Sequence, residues 1–376
     1  MGPVTVAVFG GVVLLVIVLT ALWGLKILLG VAGLVLGLYL LATWLYTDHR
    51  HPDEVHYVST KDGWDLAIWR VRPKTPVANP IPVLLQHGLG ANQRNFDLDD
   101  RCSLAHYLAR QGYDCYLPAL RGNGPSIYRG GSRSDRWKIT FEHFIDVDVP
   151  AAVEKIRELT GTAKIHFVGQ SMGAMIGYAL AEGEGDKWMQ SFTAVCGPCF
   201  FKEMSGFKSI LPFRFLLRKL TVLHVNFFMA AQAPLIRFFP RLAGREEVNW
   251  ENMDGQSLAR AAVNVVERQP ATLLLQFAKW VEDGEFGSHR GADSWEKNLH
   301  KIKVPIYCLG GSADRFCPPA ANNRVVDQVG SVQKQYRFFS KADGGLADYG
   351  HGDLIVGRTA PDEVFPTILD WIKATG

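Results

Sequence analysis

Lys164-Ile165-His166-Phe167-Val168-Gly169-Gln170-Ser171-Met172-Gly173-Ala174-Met175-Ile176-Gly177-Tyr178-Ala179-Leu180 is the stretch on which the reading of this chain turns. Its first five residues have the apolar character of a short strand, and Ala174 to Leu180 that of a helix. Between them lies a Gly-x-Ser-x-Gly turn. Small residues on both sides of Ser171 let the backbone turn sharply, which lifts the hydroxyl out of the sheet. The helix N-terminus behind it favours negative charge. The pentapeptide alone recurs by chance in a chain with 37 glycines. The strand before it and the helix after it make Ser171 a candidate nucleophile.

Such a serine needs a base to take its proton and a third group to orient that base. A strand-turn-helix serine of this kind is followed along the chain by an acid and then a histidine. Downstream, Val304-Pro305-Ile306-Tyr307-Cys308-Leu309 reads as a buried strand and opens into Gly310-Gly311-Ser312-Ala313-Asp314. Gln335 to Phe339 reads as another strand, followed by a polar loop and Tyr349-Gly350-His351-Gly352-Asp353. The expected triad is Ser171, Asp314 and His351. Asp343 and Asp348 compete for the acid role from within the histidine loop, and Asp353 reads as a cap or loop holder. Upstream, the strand Pro82 to Gln86 ends in His87-Gly88-Leu89-Gly90, whose glycines let a backbone N–H face the site. The N–H groups of Leu89 and Met172 are therefore the expected oxyanion donors. His87 reads as a structural residue under that loop.

With these pieces in place the sequence resembles the acid lipases, the gastric and lysosomal lipases among the α/β-hydrolases. The resemblance runs from about Val55 to the C-terminus. It rests on Ser59-Thr60-Lys61-Asp62-Gly63-Trp64, Leu84-Leu85-Gln86-His87-Gly88-Leu89, Gly112-Tyr113-Asp114, Leu120-Arg121-Gly122-Asn123 and Asp148-Val149-Pro150-Ala151. Near the end, Tyr349 to Ile355 leads into Ala360-Pro361-Asp362-Glu363-Val364. It implies an α/β-hydrolase fold, the same triad and oxyanion donors, and hydrolysis of apolar carboxylic esters. The family usually has His before the nucleophile and Gln after it, where this chain has Gln170 and Met172. Its members are typically secreted or lysosomal and glycosylated, whereas this sequence holds no Asn-x-Ser/Thr site, so neither the compartment nor the physiological substrate is carried over.

At 376 residues the chain can hold one large α/β core and an insertion. Forty basic and 37 acidic residues leave a net charge of +3, too little to argue for nucleic acid. The expected organisation is a membrane anchor over 1–50, a first part of the core over 51–196, a helical cap over 197–300 and the rest of the core over 301–376. Val4 to Leu22 is uncharged and apolar, Lys26 interrupts, and Ile27 to Tyr46 is apolar again. A cleaved signal peptide fits poorly: a basic first segment is missing, and the apolar stretch far exceeds the usual length of about 7–15 residues. One straight helix would be about 65 Å long, twice the hydrocarbon thickness. Two spans joined near Trp23-Gly24-Leu25-Lys26 fit better, with one span plus an interfacial helix as the alternative. Gly33 and Gly37 form a small-xxx-small pair suited to packing two helices or two chains, hence a homo-oligomer. Arg50, His51, Lys61 and Arg70 follow the apolar stretch and place the catalytic domain on the cytoplasmic side.

Between Gly197 and His300 the alternation of strands and helices stops. Gln256–Glu267 and Ala271–Glu282 read as cap helices. The first half of the cap holds Phe200, Phe201, Phe207, Phe213, Phe215, Phe227, Phe228, Phe238 and Phe239, interleaved with Lys208, Arg214, Arg218, Lys219, Arg237 and Arg241. These read either as helix buried against the core or as a membrane-facing surface, with phenylalanines lining an acyl channel. Cys196-Gly197-Pro198-Cys199 matches a redox tetrapeptide, yet sits at a core–cap junction without the rest of a redox domain. Two small buried thiols are expected there instead. The remaining cysteines have no metal-ligand spacing, and no cofactor or metal is expected. The expected function is a membrane-anchored hydrolase of apolar esters. An acyltransferase or thioesterase uses the same triad, and a catalytically silent membrane scaffold is the third reading.

Overall fold

The computed structural model describes residues 3–78, 80–132, 134–203, 211–212, 214–243, 248–289, 291 and 293–376, with the side chains of 3–22, 203 and 243 excepted. Phe207, Lys208 and Phe213 lie outside the described residues. The strands are β1 (Glu54–Ser59), β2 (Trp64–Val71), β3 (Val83–Gln86), β4 (Cys115–Pro118), β5 (Ile127–Tyr128), β6 (Ile165–Gln170), β7 (Met189–Val195), β8 (Val222–Leu223), β9 (Gln269–Pro270), β10 (Ile306–Gly311) and β11 (Lys334–Phe339). The principal helices are α1 (Pro3–Tyr46), α2 (Leu104–Arg110), α3 (Val149–Thr160), α4 (Met172–Ala181), α5 (Val225–Phe238), α6 (Gly255–Asn264), α7 (Ala271–Asp283), α8 (Pro319–Gln328) and α9 (Ala360–Thr375).

The main sheet runs β1-β2-β4-β3-β6-β7-β10-β11, with β5 paired to β2. From β4 to β11 every neighbour is parallel, while β1, β2 and β5 add antiparallel pairings at one edge. The central strands are buried along their whole length, as β3, β4, β6 and β10 all are. That is why their sequences are continuous apolar runs rather than alternations. Helices cover both faces. On one, α3, α4 and α8 pack around Ile156, Met175 and Val325. On the other, α2 and α9 pack around Leu104, Leu108, Val364 and Ile368. In such a sheet, ligands gather beyond the carboxyl ends of the strands. His87-Gly88-Leu89 follow β3, Ser171 follows β6, Cys196 follows β7, Asp314 follows β10, and His351 lies in the loop after β11.

The cap lies between β7 and β10 and contains α5, α6, α7 and the β8–β9 pair. Helix α1 passes through Trp23–Lys26 without a break, 44 residues long, where the sequence led us to expect two joined spans. Gly24 costs a helix only about 1 kcal/mol, and the single Lys26 rests its ammonium 5.9 Å from the Trp23 ring, so neither ends it. Trp23–Tyr46, 24 residues, is long and apolar enough to cross a membrane. The C-terminal end of α1 docks on the cap: Tyr39 stacks on Phe227 of α5 at 4.8 Å, and Ala42 and Tyr46 are buried. The Asn264 side chain donates to the Tyr46 carbonyl and accepts from the Asp48 N–H, both at 2.8 Å. Beyond it, Asp48 pairs with Arg50 and Arg94, and Arg50 with Asp97, which ties the same junction to the core.

Candidate active site

Ser171 sits between β6 and α4 with φ 56° and ψ −121°, a backbone that side-chain-bearing residues rarely adopt. Its two flanking glycines are demanded by contact. A Cβ on Gly169 would lie 2.4 Å from the Gly173 carbonyl oxygen, and one on Gly173 would lie 2.1 Å from that of Gln86. The elbow is thus pressed against the end of β3, which brings the loop after β3 beside the serine.

From that elbow the Ser171 hydroxyl donates to His351 Nε2 at 2.7 Å, and His351 Nδ1–H donates to Asp314 Oδ2 at 2.9 Å, with the tautomer set by these partners. The other carboxylate oxygen, Asp314 Oδ1, accepts the Phe316 and Cys317 N–H groups, each at 2.8 Å. All three groups are buried. Burial opposes charge on His351, but the Asp314 carboxylate and its hydrogen bond outweigh it and raise the imidazole well above its usual range. The competing acid Asp348 is engaged by Ser312 and the Lys341 N–H. Asp353 accepts from Asn249, Gly350 and Asn252, which fastens the histidine loop to the cap.

Leu89 and Met172 line one small cavity beside the serine. Among the described residues, no acceptor takes the N–H of either. His87 lies beneath them: it accepts from the Leu120 N–H and donates to the Gly88 carbonyl, and burial pushes it down to about 4. It is a support for the loop, as its sequence position implied. The cavity holds only about 10 Å³, room for about one water molecule, because cap residues Arg268 to Leu273 close over it. A larger cavity of about 460 Å³ lies between the cap and the Asp314 loop, lined by residues such as Arg241, Trp250 and Arg315. Neither Ser171 nor the two amides border it.

Cys196 is the residue whose part here the sequence did not disclose. It has φ 43° and donates its Sγ–H to the His351 carbonyl at 3.2 Å, while Gln170 Nε2 donates to the same carbonyl at 3.4 Å. The one available signal was its position directly after a central strand. Cys196, Asp314 and His351 bring potential metal-ligand atoms within 4.8 Å of one another. Nδ1 and Oδ2 already bond each other, and burial raises the Cys196 thiol, so the donors are protonated or engaged. Cys199 is likewise buried, with its thiol raised by burial.

Among the described residues, none of the cap phenylalanines lines the small cavity beside Leu89 and Met172. Phe200 and Phe201 are fully buried, and Phe201 packs in a cluster with Phe277, Trp280 and Phe286. Phe215, Phe228, Phe238 and Phe239 are 60–71% exposed, on the outside of the cap. Leu89, Phe144, Met172 and Leu273 supply the apolar wall of that cavity instead.

A family model described as Serine aminopeptidase, S33 matches residues 82–343, and one described as Partial alpha/beta-hydrolase lipase region matches residues 44–99. The chain is 34% identical over 371 residues to gastric triacylglycerol lipase of Homo sapiens, covering 86% of this chain and 88% of that protein. To gastric triacylglycerol lipase of Bos taurus it is 26% identical over 358 residues, covering 85% and 87%. Among solved structures, an esterase from Exiguobacterium antarcticum superposes with a TM-score of 0.57 at 14% identity, over 85% of this chain and 100% of the esterase. A monoacylglycerol lipase from Paleococcus ferrophilus gives 0.52 at 18% identity, over 82% and 99%. At those identities the two structures speak for the fold alone.

Proposed function

Because this chain belongs to the acid-lipase-like α/β-hydrolases and is a carboxylic ester hydrolase, we propose that it is a membrane-anchored serine enzyme acting on esters of apolar acyl chains. The observation that carries this reading is the unbroken line Ser171 Oγ, His351 Nε2 and Nδ1, Asp314 Oδ2 at the tip of the elbow. Ser171 Oγ attacks the ester carbonyl carbon as its proton passes to His351 Nε2. The N–H groups of Leu89 and Met172 take the developing oxyanion, where loss of one such donor typically costs about 3–4 kcal/mol. The tetrahedral intermediate collapses to an acyl-enzyme, and the leaving alcohol takes the proton from Nε2. Water repeats the sequence and frees the acid. Asp314 holds the imidazole in the tautomer that accepts at Nε2.

The 24-residue stretch Trp23–Tyr46 forms the anchor, with the first part of the core, the cap and the last part of the core at 51–196, 197–300 and 301–376. Arg50, His51, Lys61 and Arg70 put the catalytic domain on the cytoplasmic side. The exposed cap aromatics Phe215, Phe228, Phe238 and Phe239 rest in the same bilayer face, with Lys219 stacked over Phe215 and Arg237 over Phe238. For substrate to reach Ser171, the cap residues over Leu89 and Met172 must lift. Hydrolysis of p-nitrophenyl esters and labelling by a fluorophosphonate, each for wild type and Ser171→Ala, test the nucleophile: undiminished activity in the variant ends the assignment. A profile across acyl lengths tests the substrate class, since each buried CH₂ is worth about 0.8 kcal/mol. Acetate esters turning over best would replace a lipase with a small-ester esterase.

A further inference from the structure

The cavity beside the two candidate oxyanion amides is more polar than an acyl pocket requires. Two arginines, Arg121 and Arg268, line it together with Asn123 and Gln269. Arg121 is neutralised twice: its guanidinium is paired with Asp148 at 2.7 Å and with Asp62 at 2.6 Å. Arg268 is different. Among the described residues it has no hydrogen bond and no ion pair, and its guanidinium lies 5.9 Å from the Trp137 ring. Its neighbour Glu267 accepts from Asn92 and from the Gly124 N–H and, among the described residues, makes no ion pair with it.

Gln269 supplies the second, independent observation. It is 7% exposed and its Oε1 is buried without a partner, while its Nε2 donates to the Glu267 carbonyl at 3.1 Å. The amide lies directly over the loop that carries the Leu89 N–H: a Cβ on Gly90 would come 2.6 Å from Nε2 and 3.5 Å from Oε1. A buried acceptor left open costs on the order of 1–3 kcal/mol. One uncompensated cation and one open acceptor therefore face the same small space, next to where the ester carbonyl is read to bind.

We propose that Arg268 and Gln269 form a subsite for the alcohol part of the substrate, and that the preferred alcohol carries a phosphate and a hydroxyl, as in an acylated glycerol phosphate. Arg268 takes the phosphate through its positive charge, and Gln269 Oε1 accepts the glycerol hydroxyl. The cavity as it stands holds about one water, so the headgroup enters when β9 rises from Gly90 with the rest of the cap. The proposal rests on the reading of Ser171 as nucleophile, and the test separates the two.

Ether-linked alkyl glycerol phosphate and its neutral counterpart, alkyl glycerol, cannot be hydrolysed. Each is titrated in mixed micelles for protection of Ser171 against fluorophosphonate labelling of the full chain. The phosphate ether should protect at about tenfold lower concentration than the neutral ether. Arg268→Gln should abolish that advantage, and Arg268→Lys, which keeps the charge, should retain it. Labelling of each variant reports that its fold is intact. If wild type does not label, the serine-hydrolase reading falls. If it labels but both ethers protect alike, or the advantage survives Arg268→Gln, or both variants lose it equally, the subsite falls and the hydrolase reading stands.

Discussion

Gly173→Ala places the elbow itself under test. A Cβ there would lie 2.1 Å from the Gln86 carbonyl oxygen, 2.8 Å from the Gln86 carbonyl carbon and 2.9 Å from the His87 oxygen. Ordinary non-bonded contact is about 3.5 Å, so the overlap with the first atom alone is more than about 1 Å. All three atoms are backbone, at the end of a buried central strand, and none can rotate away. The N-terminus of α4 must therefore slide off β3. That motion separates the Met172 N–H, on α4, from the Leu89 N–H, on the loop after β3. A misplacement of about 1 Å costs on the order of 10²-fold in rate, and overpacking costs about 1–3 kcal/mol in stability. The expected result is kcat/KM for p-nitrophenyl butyrate about 10²-fold down, slower fluorophosphonate labelling and a Tm several degrees lower. Gly131→Ala is the control, since a Cβ there meets nothing within 4 Å. If Gly173→Ala keeps kcat/KM within threefold of wild type, the elbow does not need close packing on β3, and the argument placing both amides at one oxyanion is wrong.

Two further expectations concern charge. The Asp314 carboxylate holds the His351 imidazole above its usual range against the pull of burial, and only the neutral ring accepts a proton. The acid limb of kcat/KM should lie above about pH 6.5, and Asp314→Asn should move it to lower pH while lowering the plateau by about 10⁴-fold; a limb that stays in place removes Asp314 from the triad. By linkage, the raised His351 contributes stability that is full below its unfolded value and fades as pH climbs through its folded one. Glu182 follows the same sign for a different reason, a carboxyl pushed up to about 9 by burial itself, with both oxygens unpartnered. Between its ordinary value of 4.5 and about 9 the folded state holds the extra proton, so stability falls as pH rises across that window. Glu182→Gln should therefore stabilise progressively with pH, by as much as about 4 kcal/mol at pH 8; a Tm difference equal at pH 5 and pH 8 would refute it.

What was legible in the sequence was local. The strand, elbow and helix around Ser171 follow from glycine placement and apolar periodicity within seventeen residues, and the ends of β3, β10 and β11 are marked in the same way. Chain order then sufficed to assemble Ser171, Asp314 and His351. What was not legible depends on partners distant in the chain. Whether Gly24 and Lys26 end a helix is set by their surroundings, and α1 runs through both. Phe201 and Phe228 carry the same side chain, yet one meets Trp280 and Phe286 inside and the other remains outside. Cys196 and Cys199 are the two buried thiols that the sequence led one to expect, but the part Cys196 plays was hidden because its partner, the His351 carbonyl, lies 155 residues away.

The Asn264 hydrogen bonds to the last turn of α1 give the membrane tether proposed above a second part to play. A flexible linker only keeps an enzyme near its substrate and lets it turn freely. Here Asn264 is the last residue of α6, the Tyr39–Phe227 stack fixes α5, and the Asp48–Arg94 pair fixes the core, so the joint behaves as a stiff elbow. As the anchor proposed above, Trp23–Tyr46 is about 36 Å long against a hydrocarbon layer of about 30 Å, a mismatch that tilt would take up. Under the anchoring proposed above, tilt of α1 becomes leverage on the cap, and bilayer thickness a mechanical input to the enzyme.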